Sequence, residues 1–309
     1  MLFSKERKSK LDKADKINII LFCSASLLLF FYVLSFFKTS DRTKKDSLKS
    51  ELINEKYGSK ICAFEFSKGS GQEDQSLRLV KENDLWFIKN KKNYLPADRK
   101  IVETFINELI KVRNMYKISD KKSSDFLFSE SERDVFHLRY FYSQNKEDFF
   151  DIYFGDHDFS GSLRYITSGK FNAIYEIDTA LDIYLTSSVQ FWSEKYIISR
   201  EILGKINSKD IQTFYVKNDL DSPFIKKDFP EKLLELRHGG IADKSLTEMN
   251  DRDVELEFYF ELGNKTSPSF KIFKSDNEGV YYIFADYKTF KTGYKISSWT
   301  YKSISDMIL

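Results

Sequence analysis

Cysteine is nearly absent. Cys23 and Cys62 are the only two in 309 residues. Cys23 lies inside an apolar run and Cys62 lies beyond it, so no internal disulfide is expected. Cys62 sits in the strand-like stretch Lys60-Ile61-Cys62-Ala63-Phe64 and reads as a small core residue. An interchain bridge or a reactive thiol are the alternatives. Histidine is as scarce: His137, His157 and His238 fall in separate segments, and a metal centre needs three or four convergent ligands. No G-x-x-x-x-G-K-[ST] occurs, which excludes ATP binding through a P-loop. No G-x-S-x-G occurs, which removes the strained serine turn of the α/β-hydrolases. Charge of one sign is missing too. Lys and Arg number 49 against 47 Asp and Glu, for a net charge of +2. That balance gives nucleic acid no electrostatic footing. No cofactor, catalytic or metal-ligating residue is assigned.

What the chain does have is one long apolar run, Ile17–Phe37, interrupted only by Asn18, Ser24, Ser26 and Ser35. As a helix it would extend roughly 31 Å, the thickness of a bilayer's hydrocarbon core. It is longer than a signal-peptide core and ends Leu34-Ser35-Phe36-Phe37-Lys38, with bulky rings where a peptidase needs small side chains. Cys23 follows Phe22, which does not suit a lipoprotein site. The run is therefore expected to be an uncleaved transmembrane anchor over 17–37, with 1–16 as a cytoplasmic tail. Lysines and arginines flank both sides, from Lys5 to Lys16 and from Lys38 to Lys49, so the positive-inside bias is slight. The short basic N-terminus decides the orientation: the bulk of the chain is expected on the extracytoplasmic (periplasmic) side of the bacterial cytoplasmic membrane. The flanking lysines read as contacts with anionic lipid head groups.

The remainder predicts an α+β protein. Residues 38–60 are polar and lysine-rich and read as a stalk, with helix as one option. Ile61–Phe66 reads as a strand, and Ser67–Gln75 as a loop. Leu77–Lys81 and Leu85–Lys89 flank the hairpin signal Glu82-Asn83-Asp84. Trp86, in the second of these strands, is expected to face the core. Asp98 should cap a helix carrying Ile101, Val102, Phe105, Ile106, Leu109, Ile110 and Val112, reaching about Met115. Lys117–Asp134 reads as a polar connection containing Phe126-Leu127-Phe128. Val135–Tyr142, Phe149–Phe154, Leu163–Thr167 and Phe171–Ile177 read as strands, the last two joined across Ser168-Gly169-Lys170. Asp178 should then cap a helix carrying Leu181, Tyr184, Leu185 and Val189. The 29 Phe and 18 Tyr mostly alternate with polar residues and so point to core packing, with a glycan-binding surface as the rival use.

The C-terminal third repeats this order. Ile211–Val216 reads as an opening strand, and Pro230–Arg237 as a helix ended by Gly239 and Gly240. Asp253–Leu262 matches Asp134–Tyr142, setting Asp-Val-Phe-His-Leu-Arg-Tyr-Phe beside Asp-Val-Glu-Leu-Glu-Phe-Tyr-Phe. Phe270–Phe273, Val280–Phe284, Phe290–Ile296 and a closing helix Trp299–Ile308 follow. The expectation is a first unit over 61–200 and a second, degenerate one over 201–309.

Within this order Leu77–Ile198 resembles the bacterial domain-of-unknown-function family 4340. The features are the Trp86 strand, Pro96-Ala97-Asp98 opening a helix, and the strand ending Ile152-Tyr153-Phe154-Gly155. A Tyr165 strand, the hairpin to Ile174-Tyr175-Glu176-Ile177 and the closing helix complete it. Phe191-Trp192-Ser193-Glu194-Lys195 departs from the family pattern, which often places an Arg after the last helix. The resemblance implies a membrane-anchored accessory component associated with ABC transporters of the type linked to gliding motility, with transporter membrane subunits as partners. It carries no catalytic residues over.

Three motifs point elsewhere and are set aside. Ser119-Asp120-Lys121-Lys122, Ser275-Asp276-Asn277 and Lys291-Thr292-Gly293 fit the S-x-x-K, S-D-N and K-T-G set of penicillin-recognising enzymes. That chemistry needs its serine at the start of a buried helix, whereas Ser119 follows a helix into polar sequence. Gly155-Asp156-His157-Asp158 groups a histidine with carboxylates but reads as a tight turn. His238-Gly239-Gly240 reads as a helix end. The sequence thus predicts a non-catalytic, membrane-anchored transporter accessory that scaffolds or hands over substrate. The alternative is a cell-envelope glycan- or lipid-binding module.

Overall fold

A computed structural model describes residues 18, 21–33, 47–68, 76–89, 94–120, 135–143, 148–171, 173–218, 224–226, 230–262, 267–288 and 290–309. Residues 21–33 are helical (α1) with exposed side chains, and a one-turn helix α2 (Glu55–Gly58) follows. Among the described residues no helix is long and apolar enough to cross a membrane. Apart from Asn18 and 21–33, the apolar run lies outside the described residues, as do the 1–16 tail, Phe126-Leu127-Phe128 and most of the Ser67–Gln75 loop.

The architecture is α+β with two antiparallel sheets and few helices. The first sheet holds ten strands: β1 (Ser47–Ser50), β2 (Ala63–Lys68), β3 (Leu77–Glu82), β4 (Leu85–Lys89), β5 (Tyr94–Pro96), β6 (Arg113–Ser119), β7 (Phe136–Phe141), β8 (Phe149–His157), β9 (Leu163–Ser168) and β10 (Ile174–Asp178). They lie in the order β1-β6-β10-β9-β8-β7-β2-β3-β4-β5. The second holds β11 (Thr213–Asn218), β12 (Phe224–Lys226), β13 (Gly240–Ile241), β14 (Val254–Glu261), β15 (Ser269–Lys274), β16 (Val280–Asp286) and β17 (Lys291–Ser297). Its order is β12-β11-β14-β15-β16-β17-β13. Read from the opposite edge, this is the path of β6-β10-β9-β8-β7-β2-β3 in the first sheet. In both, a four-stranded meander is flanked on one side by the strand that directly precedes it in sequence (β6, β13) and on the other by an earlier pair (β2–β3, β11–β12).

Local chemistry explains most elements. The β3–β4 hairpin turns on Asn83 (φ 50°) and Asp84 (φ 64°). Both are left-handed, as a two-residue turn of this hand requires, and Asn and Asp tolerate that conformation best after glycine. Asp98 accepts the Ile101 N–H at 3.2 Å and starts helix α3 (Arg99–Ile110). The helix buries Val102, Phe105 and Leu109 against the first sheet. Ser297 caps the last helix, α6 (Ser298–Ile308), by accepting the Thr300 N–H at 3.1 Å. On β7 the alternation buries Phe136, Leu138 and Tyr140, and β14 does the same with Leu256, Phe258 and Phe260. One apolar cluster runs through both sheets, from Phe64, Phe105 and Trp192 to Phe258, Phe270 and Tyr287.

Several expectations need correction. The stalk over 38–60 fails in its described part: β1 pairs antiparallel with β6 at the sheet edge, and Leu52 and Ile53 are buried in the core. Helix α3 ends at Ile110, because Lys111 is extended and Arg113 to Ser119 alternate as a strand. The helix expected after Asp178 is broken into a 3-10 turn, Thr179–Tyr184, and a short helix α4 (Val189–Trp192) with its own cap, Ser188. Pro230–Arg237 forms only a 3-10 turn, Glu231–Glu235, and Gly240 belongs to strand β13. The pairing of Asp253–Leu262 with Asp134–Tyr142 is one residue out of register. Phe64 faces Tyr140 across β2–β7, and Phe214 faces Phe260 across β11–β14. Tyr140 therefore answers Phe260, not Tyr259.

Gly293 shows how tightly the second sheet is packed. It lies opposite Phe284, whose ring covers it; a Cβ there would fall 2.6 Å from Phe284 Cε1 and 3.1 Å from Ala242 Cβ. Gly293→Ala is expected to cost about 1–3 kcal/mol by overpacking, read as a lowered thermal midpoint of the full chain. Adding Phe284→Leu should recover part of that loss. An unchanged midpoint in Gly293→Ala would show that the ring swings away freely.

Candidate functional site

The joint between the two sheets gathers buried polar groups with shifted acidity. Its backbone is the extended segment that follows α4. On one side Asp98 N–H donates to Trp192 O at 2.8 Å and Glu194 N–H to Pro96 O at 2.9 Å, tying the segment to the first sheet. On the other side Ile197 N–H donates to Leu236 O and His238 N–H to Lys195 O, both at 3.1 Å, tying it to the second. The Glu194 side chain is thereby carried inward, 5% exposed. Its carboxylate accepts the Ser199 hydroxyl at 2.5 Å and the Arg200 N–H at 2.6 Å. Ser199 in turn caps helix α5 (Arg200–Leu203) by accepting the Ile202 N–H at 3.2 Å.

The second sheet closes over this carboxyl. The Tyr287 hydroxyl accepts the Ser199 N–H at 2.9 Å and donates to Ile197 O at 3.3 Å. His238 Nε2 donates to Glu194 O at 2.6 Å, and its ring stacks on Tyr294 at 4.4 Å. Three buried polar atoms here, His238 Nδ1, Thr292 Oγ1 and Tyr294 OH, have no hydrogen-bond partner. Cations are held aside: the Arg200 guanidinium lies 3.7 Å over the Tyr196 ring and bonds Leu234 O. Among the described residues no basic side chain forms an ion pair with Glu194. Burial pushes its carboxyl up to about 7, and the Glu201 charge adds to this, against the Ser199 and Arg200 hydrogen bonds. Burial lowers His238 and raises Tyr294 and Tyr287. Such a site can hold and release a proton near neutrality. The one hydroxyl bonded to that carboxyl, Ser199 Oγ, is fully buried and engaged as a helix cap.

The motifs read from sequence do not converge. Ser119 ends β6 in the first sheet, while Ser275-Asp276-Asn277 and Lys291-Thr292-Gly293 sit at opposite ends of β16 in the second. Lys121 and Lys122 lie outside the described residues. Gly155 to His157 continue β8, a correction to the turn expected there; the turn begins at Asp158, which accepts N–H bonds from Ser162 and Leu163. His157 Nε2 meets Asp182 at 2.5 Å, and Arg164 meets the same carboxylate at 3.0 Å. His137 shares Asp151 with Arg139, and although burial opposes it, these two hold the Asp151 carboxyl down to about 2. The first set ties β8 and β9 to the 3-10 turn Thr179–Tyr184, and the second ties β7 to β8. Among the described residues no three His, Cys, Asp or Glu side chains could hold a metal ion. Cys62 is half-buried, its thiol donating to Ser143 O at 3.1 Å and raised in pKa by burial.

Sequence reasoning passed over Glu194. Its one signal was the departure at Phe191-Trp192-Ser193-Glu194-Lys195, a carboxylate between Trp192 and the apolar Ile197-Ile198. The family described as a domain of unknown function, DUF4340, matches residues 86–281, a stretch that includes Glu194, Ser199 and His238 but not Tyr287, Thr292 or Tyr294. No curated protein and no solved structure matches the chain.

Proposed function

Since this chain belongs to the DUF4340 family, we propose that it is a membrane-anchored, non-catalytic accessory component of an ABC-type transporter, acting on the extracytoplasmic side. The observation that carries the reading is the apolar run Ile17–Phe37, whose described part is helical with fully outward-facing Leu, Phe and Tyr side chains. Exposed apolar helix of this kind needs lipid or protein around it. The transmembrane anchor, the periplasmic placement of the bulk and the transporter subunits as partners all belong to this proposal. So does the origin of the two sheets as copies of one unit, supported by their shared strand path. The cell-envelope binding module is less favoured. Its exposed rings, Phe159 and Trp299, lie on different sheets' elements rather than along one groove.

Affinity purification of the full chain in mild detergent tests the reading. Membrane-spanning and nucleotide-binding subunits of an ABC transporter are expected to co-purify. Recovery of the chain alone from an intact membrane extract would overturn the transporter assignment. A mature chain beginning near residue 38 would overturn the anchor.

A further inference from the structure

Among the described residues, the connector between the sheets is the one place where a carboxyl is buried without a cation. We propose that Glu194 is a protonation-controlled latch: the neutral acid holds the two sheet units together, and its ionisation loosens their joint. The inference goes beyond the transporter reading and does not depend on it.

The geometry supplies the reason. The neutral acid can donate from Oε2 to Ser199 Oγ while Oε1 still accepts the Arg200 N–H, so both contacts survive protonation. The ionised form has the Ser199 hydroxyl and the Arg200 and Glu201 N–H groups as donors but no positive charge to offset burial, which is costly for a carboxylate. The hydrogen bonds that close the joint lie within a few residues of this group: Ser199 to Tyr287, Glu194 O to His238, and Ile197 to Leu236. Solvent admitted to relieve the charge would reach those bonds first. The unpartnered Thr292, Tyr294 and His238 atoms give entering water ready partners. The other titratable or charged groups facing Glu194 are accounted for. Glu201 lies on α5 and accepts the Arg99 N–H at 3.3 Å. Arg200 and Arg237 lie over Tyr196. His238, Tyr287 and Tyr294 come from the second sheet and its turns. Burial raises Glu201 and lowers His238; His238 itself closes the joint, so Glu201 serves as the control.

Hydrogen exchange read by mass spectrometry on the full chain in detergent, at pH 5.5 and pH 8.0 and corrected for intrinsic rates, tests the latch. Peptides covering 193–203 and 236–241 should lose protection by about 25-fold at the higher pH, from a carboxyl that titrates near 7 when closed and near 4.5 when open. Glu194→Gln should remove this response, while Glu201→Gln should keep it. A pH-independent wild type overturns the proposal, as does a response that persists in Glu194→Gln or vanishes in Glu201→Gln. Should Glu194→Gln fail to fold, isotope-edited infrared titration of the wild-type glutamic acid C=O decides: a buried acid with a midpoint near 7 supports the latch, and no such acid overturns it.

Discussion

Trp192→Ala is expected to unfold the first sheet's core. The ring is 0% exposed. It packs on Phe66 at 5.0 Å, Phe191 at 5.1 Å and Phe105 at 5.4 Å, and its Nε1–H donates to Thr186 O at 2.9 Å. Truncation removes the packing of α3 against the sheet and strands the half-buried Thr186 carbonyl. A buried Trp→Ala change costs about 3–5 kcal/mol, and the lost hydrogen bond leaves an acceptor unsatisfied for about 1–3 kcal/mol more. Domain stability is only about 5–15 kcal/mol. Thermal melts followed by intrinsic fluorescence and near-UV circular dichroism should show the variant unfolded or nearly so at 37 °C. Trp299→Ala removes a ring that is 74% exposed on α6 and should stay within about 0.5 kcal/mol of wild type. Equal melts for the two variants would mean that Trp192 does not hold this core. Trp86, 4% exposed and stacked on Phe64 at 5.7 Å, should behave like Trp192 with a smaller loss. Its ring borders an open groove beside Ile106 and Ile110 into which neighbours can relax.

Wild-type stability is expected to fall as pH rises from about 4.5 to about 7, with Glu194→Gln flattening that slope. The folded carboxyl titrates near 7 and the unfolded one near 4.5. In that window the folded chain binds the proton and the unfolded chain does not. The contribution is therefore complete below the unfolded value and is lost as pH passes through the folded one. The difference of two to three pH units is worth about 3 kcal/mol. For a chain of this size that is roughly 6–12 °C in thermal midpoint. At pH 4 the variant should melt close to wild type, since glutamine copies the neutral acid's hydrogen bonds. At pH 8 it should melt higher. A variant less stable than wild type at pH 8 would show that the carboxylate is solvated in place.

The strand order was largely legible because alternation carries it. Phe136, Leu138 and Tyr140 announce β7 as clearly as Leu256, Phe258 and Phe260 announce β14, and Asn83-Asp84 announces its turn. The register between the two units was not legible. Asp-Val opens both segments, and matching those letters sets the buried Tyr140 beside the outward Tyr259, since a one-residue slip exchanges the faces of a strand. Helix ends were misread where tertiary contacts overrule local pattern. Val112 continues the apolar stripe of α3, but Arg113 is drawn out of the helix to meet Asp178 at 3.0 Å and Glu108. The joint was the least legible part. Glu194, Ser199, His238, Tyr287 and Tyr294 are spread over a hundred residues, and nothing in their separate neighbourhoods says that they meet.

The edge position of β1 sets an order of events during synthesis. Ser47 pairs with Tyr116 and Ser50 with Arg113. The strand that leaves the ribosome first must wait for a partner made well after it. At elongation rates of about 5–20 residues per second, that wait is about 3–14 s. Through that interval the segment next to the apolar run has an unsatisfied ladder, while β2 waits still longer for β7. The margin of the sheet nearest the apolar run thus stays open for several seconds after it is made. A chaperone that shields nascent strands would have a window there.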